Sequence, residues 1–394
     1  MKGGRFAGSL IGAALGVLAL VVDRPAHAQD ETFTFTLAGQ SMIRGDVRAS
    51  APGSIAAISS LLRGDVTFTN FEATVLDETK GQSYRDGRFL SPPEAMDALK
   101  ALGINLLALS SNHSYDLKAA GIENTLAQAD RLQLAHAGTG RNREEAAAPG
   151  YLHTNKGTVA LVSMASGLIP EGGAAMSSHP GVDELHVKDG KLNADDAKLI
   201  LESIREARKH AKFVIAYQHN HVYEKPFVTI VTEELPERLR PPEWVRTWTH
   251  AEIDAGADIV VMHGAPVLQG IEIYKGRPIF YDLGNFFFQV PPAEYQLDEP
   301  INWESVVAHV EFDHAKLRAI TLQPIAFNKI GQGQPDVHDE HSHNQYLLTR
   351  GLPAPAHGEQ AYYILNRLAE LSRPFGTEVE LNGDVAKVRL EKLP

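Results

Sequence analysis

Cysteine is absent from the 394-residue chain. That excludes disulfides, a thiolate nucleophile, cysteine-held zinc or iron–sulfur, and lipid attachment at an N-terminal cysteine. A cysteine-free chain fits a compartment where stray thiols would be oxidised. Excess positive charge is also lacking: 37 Lys and Arg stand against 49 Asp and Glu, a net charge of −12. Such a surface opposes nonspecific binding to nucleic acid or anionic membranes, so no nucleic-acid partner is expected. No G-x-S-x-G, P-loop or G-x-G-x-x-G motif occurs; Gly138-x-Gly140 has too few glycines for a dinucleotide site. Beyond residue 28 no apolar run approaches the ~20 residues that a membrane-spanning helix needs.

The first residues read as an address. Lys2 and Arg5 precede the apolar segment Leu10 to Val22, and Ala26-His27-Ala28 offers a small-x-small cleavage site, the layout of a secretory signal peptide. Residues 1–28 are therefore expected to be removed, leaving a secreted or periplasmic protein without a transmembrane segment. That removal takes Lys2, Arg5, Arg24 and Asp23 and shifts the net charge from −12 to −14.

Thr32 to Leu37 alternates polar and apolar residues and predicts a strand that runs into a turn at Ala38-Gly39-Gln40-Ser41. Further strands are expected at Asp65–Thr69, Ile104–Leu109, Thr158–Val162, Phe213–Ala216 and Asp258–Met262. Helices are expected at Ile55–Leu62, Pro92–Leu102, Lys118–Arg131, Ala194–His210 and Trp244–Ala255. Residues 224–242 read as a loop or lid, with Leu235–Pro242 a rigid proline-rich piece. Ile271–Tyr274 and Pro278–Tyr281 form a hairpin around Lys275-Gly276-Arg277. From about Trp303 the pattern becomes β-rich: a strand at Val306–Phe312, a Gly/Pro/His-rich loop at 331–359, a helix near Ala361–Leu371 and a last hairpin. Alternating strands and helices imply an α/β core.

With 17 histidines, imidazole is plentiful. Three apolar runs stop on chemistry-bearing residues: Ile104–Leu109 before Asn112-His113, Phe213–Ala216 before His219-Asn220-His221, and Ile259–Val261 before His263-Gly264. In α/β sheets the carboxyl ends of strands line a ligand crevice, which would gather these residues at one site. An asparagine oxygen and neutral imidazoles suit a divalent metal. His113, three residues before Asp116, has the spacing of an acid–base histidine and its orienting carboxylate. His219 and His221, two apart on a strand, would face the same way. Asn70-x-Glu72 ends the second strand, and Glu72 is the natural carboxylate to balance a metal's charge. Asp282 and Asn285 lie in a polar turn that serves equally as a substrate contact or as a simple turn. His338, His341 and His343, on a loop with no strand to fix them, are expected to bind metal opportunistically at the surface or simply to be solvated.

The order of these motifs resembles the capsule-synthesis protein CapA family, poly-γ-glutamate-associated proteins of the metallophosphatase-like superfamily. The likeness runs from about Phe33 to Gln289. It is carried by Asn70-Phe71-Glu72, Ala108–Asp116, Gly138–Ala146, Ala255–His263 and, above all, Val267–Phe286. It implies a calcineurin-like sandwich of two mixed sheets flanked by helices over residues 29–290, with residues 291–394 a β-rich extension packing on the same domain. By the same resemblance, Glu72, Asn112, His219 and His263 hold one divalent metal ion, with Mn, Fe and Zn as candidates. His113 with Asp116 supplies acid–base chemistry, and His221 adds an extra ligand-type or catalytic imidazole. Asn70, Arg141, Asp282 and Asn285 are the expected substrate contacts. Gln40 and Pro266 replace an Asp and a His of the family pattern, so a second metal site is expected to be impaired. The resemblance implies an exported hydrolase of a phosphoester or amide bond, acting on an anionic polymer or its precursor beside a membrane-bound polymer synthase. A non-catalytic polymer-binding or assembly factor with a degenerate site is the alternative.

Overall fold

The structure, a computed structural model, describes residues 1, 3–4, 32–233, 239–292, 297–336, 341 and 343–390. Nearly all of the expected leader, residues 235–238 of the proline-rich piece and His338 lie outside the described residues. The architecture is mixed α/β. One sheet has nine strands. Its central path runs Lys316–Phe327, Glu304–Asp313, Thr32–Leu37, Val66–Asn70, Leu106–Ala108 and Ala135–Ala137. The last four are parallel, and Glu304–Asp313 joins Thr32–Leu37 antiparallel. The six-stranded sheet is ordered Ile271–Tyr274, Arg277–Phe280, Ile259–His263, Phe213–Asn220, Gly157–Ser166 and Gly150–Thr154. Its middle strands are also parallel.

Because side chains alternate across a strand, each sheet divides its residues between two clusters. Phe33, Phe35, Phe68 and Leu106 of the first sheet share one apolar cluster with Leu161, Phe213, Ile215 and Val261 of the second. Phe33 and Phe213 meet with ring centroids 5.0 Å apart, and Phe68 meets Tyr217 at 5.5 Å. The intervening residues turn toward helices. Leu107 packs with Leu99 and Leu126 of helices Pro93–Ala101 and Lys118–Arg131. Ala160, Val162 and Val214 pack with Ile200, Ile204 and Trp248 of helices Ala194–His210 and Glu243–Ala255. Asn193 caps the helix that follows it by accepting from the N–H groups of Asp195 and Asp196.

Several local expectations change. Gln40 is not in a turn: Gln40–Met42 is a short parallel strand against Asn285–Phe288, started by Gln40 N donating to Gly284 O at 2.8 Å. Here a Cβ on Gly39 would lie 2.5 Å from backbone atoms of Gly284 and Asn285, so only glycine allows the approach. The Phe213 strand extends to Asn220, which places His219 within it. The 224–242 loop contains the helix Phe227–Thr232, whose apolar run buries Ile230 and Val231. The 331–359 loop contains the helix Gln345–Leu348, capped by Asn344, and the strand Pro353–Pro355. His343 is not simply solvated, because it stacks on Tyr84 with ring centroids 3.5 Å apart. Burial lowers its pKa to about 4.

Candidate metal centre

The crevice forms where strand ends of both sheets meet. His219 and His263 are register partners on adjacent parallel strands, while Asn70 and Ala108 are partners in the other sheet. Glu72 and Asn112 follow the latter pair. Glu72, His219 and His221 each bring a ligand-type atom within 4.8 Å of the other two. His219 Nε2 lies 3.6 Å from Glu72 Oε1 and 2.9 Å from Asn112 Oδ1. On its other side His219 Nδ1 is 3.3 Å from the Tyr217 hydroxyl, which sets the ring from below.

Burial dominates the electrostatics. It holds His219 well below its ordinary pKa, with His221, His263 and His113 adding repulsion. Burial, then His113, lowers His221 to about 3, and burial lowers His263 to about 3. All three imidazoles are therefore neutral at pH 7, the protonation state a metal requires. His221 supplies the sharpest test of fit. Both of its ring nitrogens are buried without a hydrogen-bond partner, although a neutral imidazole carries one donor and one acceptor. Ligation would use the lone pair. Two neutral imidazoles and a carboxylate, with an amide oxygen alongside, are a donor set suited to zinc, iron or manganese. The residues present fit a divalent cation.

The remaining sequence-selected residues are placed differently. His113 Nδ1 lies 2.9 Å from Asp116 Oδ2, and the same carboxylate oxygen accepts from Phe89 N at 2.7 Å. A carboxylate only accepts, so Nδ1 carries the proton and Nε2 is the nitrogen able to exchange one. Thr74 Oγ1 also donates to the His113 carbonyl at 2.5 Å, fixing the backbone. His263 lies outside the Glu72–His219–His221 cluster; its Nδ1 pairs with Asn70 Oδ1 at 3.1 Å, and its Nε2 has no hydrogen-bond partner. Gln40 is held at both ends of its amide, donating to Asn285 Oδ1 at 3.0 Å and accepting from Gly264 N at 3.1 Å. Gly264 has φ +137°, and a Cβ there would collide with the Asn220 carbonyl. Asp282 accepts from Gly284 N at 2.7 Å, and burial raises its pKa well above the carboxylate range. Arg141 is exposed and paired with Glu145 and Glu123.

A cavity of about 160 Å³ opens over the cluster, bordered by Gln40, Glu72, Asn112, His113 and His221. Arg88 and a set of apolar side chains complete the lining. Asn70, Arg141, Asp282 and Asn285 do not border it. Sequence reasoning missed the apolar walls because their residues come from five separate segments, none with a motif of its own.

Comparison with known proteins places the chain in context. It is 28% identical over 454 residues to the uncharacterized protein y4uA of Sinorhizobium fredii, covering 91% of this chain and 93% of that one. It is 30% identical to the PGA biosynthesis protein CapA of Bacillus subtilis, over 57% of this chain and 53% of its relative. With the capsule biosynthesis protein CapA of Bacillus anthracis it shares 27% identity, over 66% and 61% of the two chains. Residues 34–290 match the family described as bacterial capsule synthesis protein PGA_cap, and those residues include every member of the crevice cluster. This chain belongs to the bacterial capsule synthesis protein PGA_cap family.

Proposed function

We propose that this chain is an exported accessory protein of anionic-polymer synthesis, of the poly-γ-glutamate type, that acts as a hydrolase dependent on one divalent metal ion. The observation that carries this reading is the convergence of Glu72, His219 and His221 within 4.8 Å, beside the His113–Asp116 pair. Family membership supports the polymer connection, and the names of the Bacillus relatives point the same way. Export is supported by Lys2 and Arg5, the apolar run after them, and Ala26-His27-Ala28. A metallophosphatase-like sandwich over residues 29–290, with 291–394 packed on it, agrees with the shared cluster between the two sheets. It also agrees with the pairing of Glu304–Asp313 to Thr32–Leu37.

In this reading Glu72, His219 and His221 hold the cation, with Asn112 Oδ1 completing the set. A cation there supplies Lewis acidity toward a carbonyl or phosphoryl oxygen. His113, its Nδ1 proton donated to Asp116, takes or gives the proton of the attacking or leaving oxygen through Nε2. Gln40, locked between Asn285 and Gly264, offers no carboxylate to a second cation, so the expected stoichiometry is one metal per chain.

Metal analysis of the purified protein, combined with phosphodiesterase and γ-glutamyl hydrolase assays, tests the proposal. One bound metal and chelator-sensitive turnover are expected. Hydrolysis unchanged both by chelation and by His113→Ala would sink it. A second reading, an assembly factor that binds polymer without cleaving it, draws on the locked Gln40 and the His263–Asn70 pair. Polymer binding with neither metal nor turnover would favour it.

A further inference from the structure

The polar floor just described accounts for only part of the cavity. Met42, Phe227, Pro266, Phe288, Val290 and Leu297 line the rest, and among the described residues Arg88 is the one Lys or Arg side chain in the lining. A polyanion threading the cavity would press carboxylates against these walls, where burying an unpaired charge is strongly unfavourable. The size is restrictive too: apolar cavities near 150 Å³ hold a molecule the size of benzene, and this one measures about 160 Å³.

The apolar wall is firmly built. Arg350, 3% exposed, donates to the Val290 carbonyl at 2.9 Å and lies over the Trp303 ring at 4.5 Å. The Trp303 indole donates to the Leu297 carbonyl at 2.7 Å. One stacked pair thus fixes two wall residues on either side of the segment that joins them. At the rim, Leu168 is 66% exposed with φ +54°, following Gly167 at φ +75°. A leucine in the left-handed region is strained, and here it presents an apolar side chain to the mouth of the cavity.

We infer that the cavity is a specificity pocket for a compact apolar group, aromatic or branched aliphatic, attached directly to the anionic or carbonyl group that meets the Glu72–His219–His221 floor. This rests on the hydrolase reading for what the floor does, but not for what the walls accept. The bond acted on would lie at a junction between a charged moiety and an apolar one, rather than within a run of charged repeats.

Two measurements on the full chain separate these points. In chelator-treated protein, 4-fluorobenzyl alcohol followed by fluorine NMR line width should bind saturably. Phe227→Ser, at a half-buried rim position, should weaken that binding by roughly fivefold. With manganese added, phenylphosphonate should bind at least about tenfold tighter than methylphosphonate. Non-saturable binding of the fluorinated probe overturns the inference, as do equal affinities for the two phosphonates. So does stronger competition by a γ-glutamyl trimer than by phenylphosphonate. A phenyl-over-methyl preference with neither phosphonate's affinity raised by manganese supports the pocket and sinks the metal reading instead.

Discussion

On one side of the crevice the Gln40 amide is engaged at both ends, by Asn285 and by Gly264 N, and His263 Nδ1 is engaged by Asn70. On the other side Glu72, His219 and His221 crowd together, and neither ring nitrogen of His221 has a hydrogen-bond partner. Both sides are largely buried, so polar groups on each carry a desolvation cost. They differ in how it is met. Where an amide is closed on protein partners, no ligand atom remains to offer. Where an imidazole has none, about 1–3 kcal/mol of lost hydrogen bonding per group is left for something else to offset. The first side keeps one open ring nitrogen, His263 Nε2, while the second keeps both nitrogens of His221 beside a carboxylate and a second imidazole.

The strongest test of that contrast is chemical. His113→Ala should lower turnover by about 10²–10⁴-fold while the metal content measured by elemental analysis stays the same. Equal loss of metal would move His113 into the ligand set. Next in size, His221→Ala should weaken metal binding by about a hundredfold or more in competition with a chromophoric chelator. His263→Ala should change it less, by about tenfold, the low end of what a residue outside the ligand set is worth. The reverse order would exchange the roles of the two histidines.

A stability measurement addresses the closed side. Asn285→Ala leaves the buried Gln40 Nε2 without its acceptor and should cost about 1–3 kcal/mol in chemical denaturation, with metal content unchanged. A variant as stable as the parent would mean that the amide relay is not structural.

The most gradual effect, spread over several pH units, lies away from the crevice and gives a baseline for the pH dependence. Glu252 is buried, neither of its carboxyl oxygens has a hydrogen-bond partner, and burial raises its pKa to about 8. Its folded pKa is above its unfolded one, so the folded state holds the extra proton between them. The stability this contributes is whole below about 4.5 and is lost as pH rises through 8. Glu252→Gln should flatten the decline between about pH 4.5 and pH 8, a slope of at most ~1.4 kcal/mol per pH unit. An unchanged slope would place the titration elsewhere.

Much of this was legible in the chain. The period-two runs at Thr32–Leu37 and Val306–Phe312 and the charged face of Ala194–His210 lead to the elements observed, because alternation and helical spacing are local properties. The Lys118–Arg131 helix matches its expected bounds. The strand-end rule picked out Glu72, Asn112, His113, His219 and His221, which the cluster and the cavity lining contain, and His263, which neither contains. Gln40 was misread because its strand exists only through pairing with Asn285–Phe288, more than two hundred residues away. His343 was misread because Tyr84, the ring it stacks on, is equally remote in sequence.

Sequence alone determined the chemistry on offer: imidazoles, carboxylates and amides without a thiol, at the ends of buried strands. Tertiary structure decided which of them stand free to act. His221 and His263 carry the same ring, yet only His263 finds an acceptor in Asn70 for its Nδ1, while both nitrogens of His221 are without a hydrogen-bond partner. That outcome depends on distances of about 3 Å across two sheets. No local pattern encodes them.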